Sequence, residues 1–207
     1  PICKKLLLSN ALGQMADTVF ALPAGEIGML AGWTGAICYT LQIYFDFSGY
    51  SDMAIGLGRM FGFHFRENFN YPYTATTIKE FWRRWHISLS GWFRDYLYIP
   101  LGGNRKGNAR TWLNRFLVFF ATGLWHGASW TFVLWGLWHG LFSVLEDCGA
   151  IPVDKLKGKR IGQLYTLFVV VLGFTLFRAD TLTQAGAMYA AMFSGIGLHW
   201  LGTAAVW

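Results

Sequence analysis

The chain has 207 residues, of which 54% are hydrophobic and only 14% charged, with eleven Trp and a net charge of +6. Ordinary soluble domains are about a quarter charged, so this balance argues against a soluble fold and for a protein that lives in a bilayer. The basic residues flank apolar runs and form no single stripe, which disfavours nucleic acid and favours contact with anionic lipid headgroups.

From the N-terminus, Lys4 to Phe20 predicts an amphipathic helix at the membrane interface. Lys4-Lys5 before Leu6-Leu7-Leu8 has the outline of a signal peptide, but Ser9, Asn10 and Gln14 interrupt its apolar stretch. Ile27 to Phe45 is the first candidate span, since crossing the hydrocarbon takes roughly 20 apolar residues. It runs into Asp46-Phe47-Ser48-Gly49-Tyr50-Ser51-Asp52, and the apolar piece beyond it, Met53 to Phe63, is too short to span alone. A broken or bent helix is predicted, with Asp46 and Asp52 either capping its broken ends or lining a polar cavity.

Residues Phe63 to Arg115 hold most of the charge, and Pro72 marks a turn. Phe81, Trp85, Leu89, Trp92 and Tyr96 recur at helical steps and predict one basic, Trp-rich interfacial helix from Ile78 to Tyr98. Leu101 to Asn108 reads as a glycine-rich polar loop. Phe116 to Leu145 then contains no Asp, Glu, Lys or Arg, Ile161 to Phe177 is a further candidate span, and Ala185 to Trp207 a last, incomplete one. Arg59 to Arg115 holds ten Lys/Arg and Lys155 to Arg160 four. If 116–145 crosses once, these basic loops fall on opposite faces; either the run is a re-entrant pair or loop charge does not set the orientation. A chain that opens at Pro1 and closes at Trp207 in apolar sequence is expected to be a piece of a longer polytopic protein.

The chemistry sits in a duplicated phrase, Gly123-Leu124-Trp125-His126-Gly127 and Gly136-Leu137-Trp138-His139-Gly140. Ionisable groups at membrane depth are costly and face a protein interior or a wet cavity, and histidine is suited to proton transfer near neutral pH. On one unbroken helix, thirteen residues at ~100° each would leave the two rings roughly 140° apart, so one reaction centre would use one of them. His126 lies deeper in the run, and small Gly127, Ala128 and Ser129 after it leave room for a substrate. The plainer alternative, a packed histidine bonded to a carbonyl, suits His139 better. By spacing, His86 is a lone interfacial histidine. Arg83 and Arg84 beside it either anchor lipid headgroups or bind a phosphate-bearing donor such as coenzyme A or phosphopantetheine. Cys3, Cys38 and Cys148 are scattered and read as free thiols. No zinc-ligand spacing, P-loop or Gly-x-Ser-x-Gly elbow occurs, so no metal is expected. A histidine base acting directly on an acceptor hydroxyl is the economical mechanism.

Gln42 to Asp52, Glu67-Asn68-Phe69, Phe81 to Ser90, Arg94 to Asn104 and Gly123 to Gly127 together resemble the membrane-bound O-acyltransferase family, and most of all its alginate O-acetylating branch. The resemblance implies an all-α, polytopic bowl of tilted, re-entrant and interfacial helices around a tunnel, with 1–207 as a single membrane domain from the C-terminal part. It places the essential histidine at His126 and a second functional position at His86. It implies acetyl transfer to an exported polysaccharide in a bacterial inner membrane, with D-alanyl transfer to teichoic acid as the related alternative; the predicted broken helix and the membrane histidines leave a transporter with a proton path as an alternative of a different class. The implied donor is acetyl-CoA or another acyl thioester, with no tightly bound cofactor. The implied partners are the lipid bilayer, an acyl-carrier protein, the polysaccharide and periplasmic acetyltransferases.

Overall fold

The computed structural model describes residues 1–195, and every regular element among them is helical. The chain groups into two compact units. One is Pro1–Phe61 with the described residues from Phe174 onward; the other is Gly62–Gly173.

In the first unit a π-helical turn, Lys4–Ser9, leads directly into α1, Asn10–Phe20, as predicted for this stretch. It packs antiparallel along α2, Met29–Met60, where Val19 lies over Gly35 and Lys4 over Gly49. A Cβ at Gly35 would meet Val19 at 2.8 Å, so the close approach requires glycine there. The break predicted around Asp46 to Asp52 does not occur: α2 is one helix of 32 residues. Lys5 pairs with Asp46 at 2.5 Å and Lys4 with Asp52 at 2.9 Å. The carboxylates therefore have cationic partners from the N-terminal helix and cap no helix end. The last described helix of this unit, α9, Leu182–Phe193, also rests on α2. There Gly32 meets Met192 and Ala191, and the Trp33 indole N–H donates to the Met192 carbonyl at 2.9 Å. Val19, Phe20, Ile27, Ala31, Met188 and Ala191 form the buried core between these elements.

In the second unit the single interfacial helix predicted over Ile78 to Tyr98 is three pieces. They are α3, Ile78–Arg84; α4, Ile87–Phe93; and a π-helical turn, Arg94–Tyr98. The break falls at Trp85 and His86, and its cause is given below. Next, α5, Asn108–His126, and α6, Trp130–Asp147, turn back on each other through Gly127, Ala128 and Ser129. The uncharged run is thus a helical hairpin, and no continuous helix carries both histidines. Its glycines hold it together: a Cβ at Gly136 would strike the Phe119 carbonyl and one at Gly123 the Phe132 carbonyl. Small residues four apart let backbones approach in this way. At the base, Arg115 meets Asp147 at 2.5 Å and Ser143 at 3.1 Å.

A short helix, α7, Val153–Leu156, sits in the polar loop, followed by α8, Arg160–Arg178. Among the described residues α8 is the helix long and apolar enough, by length and composition, to cross a membrane, with a mean hydropathy of 1.6. Then comes α9, Leu182–Phe193. The remainder of the span predicted over Ala185 to Trp207, from 196 on, lies outside the described residues.

Candidate active site

The site belongs to the second unit and starts with the anchoring of α3. The Glu146 carboxylate, buried on α6, accepts the backbone N–H groups of Ile78 at 2.6 Å and Lys79 at 3.1 Å. Helix starts leave such donors without intrahelical partners, and an acid there also meets the positive end of the helix dipole. Lys79 bonds Asp147 at 2.7 Å, which ties α3 to the same end of α6. Thr77 caps α3 through the Glu80 N–H, and Glu80 in turn accepts the Thr76 N–H and hydroxyl and the Arg84 guanidinium. Burial pushes the Glu80 carboxyl up, but these hydrogen bonds outweigh it and hold it below the usual carboxylate range.

Aromatic rings then fix the orientation of α3. Phe81 is fully buried, with its ring 5.5 Å from Trp85 and 6.4 Å from His139. Trp82 meets Phe119, Trp135 and His139 edge-on at 5.0 to 5.7 Å.

After Trp85 the chain turns sharply. His86 has φ 47° and ψ 55°, a left-handed conformation uncommon outside glycine. Such strain persists where surroundings over-determine it, and here the irregular segment at 68–70 does so. The Ile87 N–H donates to the Asn68 carbonyl at 3.0 Å, and the Asn70 N–H to the Arg84 carbonyl at 2.9 Å. The Asn68 side chain also accepts from the Ser88 N–H at 3.0 Å. These contacts come from 14 to 20 positions away, which is why helical spacing alone did not reveal the break.

The turn delivers His86 to the wall of a cavity of about 240 Å³. One wall is Trp82, Trp85, His86, Leu89, Ser90, Phe93, Arg94 and Tyr98; the other is Arg115, Val118, Phe119, Thr122 and His126 of one face of α5. Both predicted histidines therefore line one cavity, although 40 residues separate them in sequence. Burial, and secondly the neighbouring His126 ring, push His86 down to about 4, so the imidazole is neutral near neutral pH. His126 rests against Trp125 at 4.9 Å and Trp135 at 5.1 Å.

His139 is elsewhere. It is fully buried behind Trp82, Trp135 and Phe81, outside the cavity wall. The carbonyl partner expected for a packed histidine is not there, since neither ring nitrogen has a hydrogen-bond partner among the described residues. Nor do Arg83 and Arg84 line the cavity. Arg84 is occupied by Glu80 at 2.7 Å and the Thr74 hydroxyl at 2.9 Å, and Arg83 is exposed. The arginines on the wall are Arg94, paired with Asp95, and Arg115, paired with Asp147. Sequence reasoning passed over both, because nothing local marks them as sharing a cavity with the histidines. Among the described residues no His, Cys, Asp and Glu cluster could hold a metal.

The arrangement offers two imidazoles at one apolar, aromatic-walled cavity, which suits proton transfer on a bound hydroxyl. A family model for membrane-bound O-acyltransferases matches residues 17–149. A relative from Pseudomonas putida, named "Probable alginate O-acetylase AlgI", is 51% identical over 92% of this chain and 39% of its own length. A peptidoglycan O-acetyltransferase of Helicobacter pylori is 40% identical over 88% of this chain and 35% of its own. A teichoic acid D-alanyltransferase of Bacillus subtilis is 36% identical over 53% of this chain and 29% of its own. The chain thus spans about two fifths or less of the length of these relatives.

Proposed function

Because this chain belongs to the membrane-bound O-acyltransferase family, we propose that its protein moves an acetyl group from a thioester donor to a hydroxyl of an exported polysaccharide such as alginate. The observation that carries the reading is the meeting of His86 and His126 on one cavity. His126 takes the hydroxyl proton as the oxygen attacks the acyl carbon. The new C–O bond forms, the C–S bond breaks, and the proton leaves with the departing thiol. His86 orients the reacting groups. The aromatic walls exclude water, so that placement of donor and acceptor contributes much of the rate.

The donor of this reading is acetyl-CoA or an acyl-carrier thioester, and periplasmic acetyltransferases are its partners. The protein is multi-pass in a bacterial inner membrane, with α8 and the α5–α6 hairpin among its membrane segments. The names of the Pseudomonas and Helicobacter relatives support acetyl as the group moved. The Bacillus relative supports a second reading, D-alanyl transfer to teichoic acid.

The test is acetyl ester per glycan residue, normalised to membrane-protein abundance, in cells carrying the full-length protein. His126→Ala is expected to abolish acetylation, a loss of roughly 10²–10⁴-fold or more for a general base, while the protein still accumulates. Wild-type acetylation by a well-expressed His126→Ala protein would sink the mechanism. D-alanyl ester in place of acetyl would select the second reading.

A further inference from the structure

The strained turn at His86 says which face of the imidazole does the work. Asn68 Oδ1 lies 3.0 Å from the Ser88 backbone N–H, 2.9 Å from the Ser88 hydroxyl and 3.3 Å from His86 Nδ1. A backbone N–H can only donate, so the Asn68 atom facing it is the amide oxygen, which settles the orientation of that side chain. A carbonyl oxygen can only accept. The Ser88 hydroxyl also lies 3.5 Å from His86 Nδ1, but it donates its one proton to the Asn68 oxygen at 2.9 Å, so His86 Nδ1, facing the same oxygen, carries its own proton. In a neutral imidazole the other nitrogen, Nε2, is left with a lone pair, and the ring that bears it lines the cavity.

We infer that Asn68 is a positioning residue that locks His86 in the Nδ1–H tautomer, so that Nε2 presents an acceptor lone pair to a second hydroxyl of the acceptor sugar. This rests on the acyl-transfer reading and sharpens it: His86 receives a hydrogen bond from a hydroxyl beside the reacting one and does not donate one to the carbonyl oxygen of the acyl group. The reacting hydroxyl has a single proton, which goes to His126, so the two histidines act on the same sugar through different hydroxyls, His86 holding it in place and His126 removing the proton of the oxygen that attacks. The depressed proton affinity of His86 agrees, since a neutral ring is the form that has a lone pair to offer. The arrangement also accounts for the strain at His86: the left-handed turn puts its own Nδ1 and the Ser88 N–H on one oxygen.

Two measurements on the full-length protein test this. The first is ¹⁵N NMR of histidine-labelled protein in lipid, with the His86 signal identified by its loss in His86→Gln. A neutral ring protonated on Nδ1 is expected; protonation on Nε2 would overturn the inference. This readout needs no turnover, so it stands or falls separately from acyl transfer itself. The second is kinetic, using acetyl-thioester donor in membranes. Asn68→Leu removes the acceptor and is expected to lower kcat about 10²-fold with KM little changed and protein abundance retained. Asn68→Asp keeps an acceptor for Nδ1–H and should restore most of kcat. Its carboxylate favours the charged ring, so the acid limb of the pH–rate profile should move up by about one unit or more. Equal loss in the Leu and Asp variants, with no shift of the acid limb, would reduce Asn68 to a loop-folding residue and overturn the proposal.

Discussion

At the scale of single residues, the two Trp-His-Gly phrases differ in surroundings and not in spelling. His126 lines a cavity, whereas His139 is enclosed by Phe81, Trp82 and Trp135 with no polar partner for either nitrogen among the described residues. A buried polar group without a hydrogen bond costs stability, so an apolar side chain of similar size at 139 should be tolerated. His139→Leu is expected to leave the melting temperature of the detergent-purified protein unchanged or higher and to keep most activity per molecule. Loss of activity in His139→Leu at matched abundance would give that ring a place in the chemistry. The sequence separated the two by their depth in the uncharged run and by the small residues after His126. It could not show the aromatic enclosure of His139, two of whose walls, Phe81 and Trp82, come from α3, nearly sixty residues earlier.

At the scale of elements, the same phrases are packing devices. Each begins and ends in glycine four residues apart, and Gly136 sits against the Phe119 carbonyl while Gly140 faces the Phe119 ring. Gly136→Ala should therefore destabilise by about 1–3 kcal/mol, as overpacking does. Gly56, in α2, has nothing within 4 Å of an added Cβ, and Gly56→Ala should stabilise by roughly 0.5–1 kcal/mol through helix propensity. Thermal melts of the two variants check the opposite signs; equal shifts would remove the packing argument. The small-x-x-x-small spacing was legible in the sequence, but histidine drew the attention. The positions of α1, the α5–α6 run and α8 were also legible from their apolar patterns. The continuity of α2 was not, because the partners of Asp46 and Asp52 lie more than 40 residues upstream. The break at His86 was hidden because Phe81, Trp85 and Leu89 keep helical spacing straight through it.

At the scale of the whole molecule, the hairpin brings the two basic loops to one end. Arg115 at the start of the uncharged run and Asp147 at its end are ion-paired, so the polar segments before α5 and after α6 leave from the same end of the hairpin. Cys148 is exposed there and offers a native reporter. With Cys3 and Cys38 replaced by Ser, a membrane-impermeant maleimide should reach Cys148 and an added Arg105→Cys from one face of the membrane. Ser129→Cys, in a Cys148→Ser background, should not label from that face. Labelling of positions 105 and 148 from opposite faces would show that the run crosses once.

The turn at the far end of the hairpin, Gly127-Ala128-Ser129, carries no charge. In the proposed placement of α5 and α6 in the bilayer, the uncharged arms and this neutral tip are the parts carried inward, and the Arg, Lys, Asp and Glu of both flanks stay together on one side. A transmembrane potential does about 2.3 kcal/mol of work per 100 mV on each charge it moves, and on this segment there is none to move. In that placement the hairpin that carries His126 is electrically silent: an energised membrane would neither pull it in nor resist it, and its insertion would rest on apolar burial.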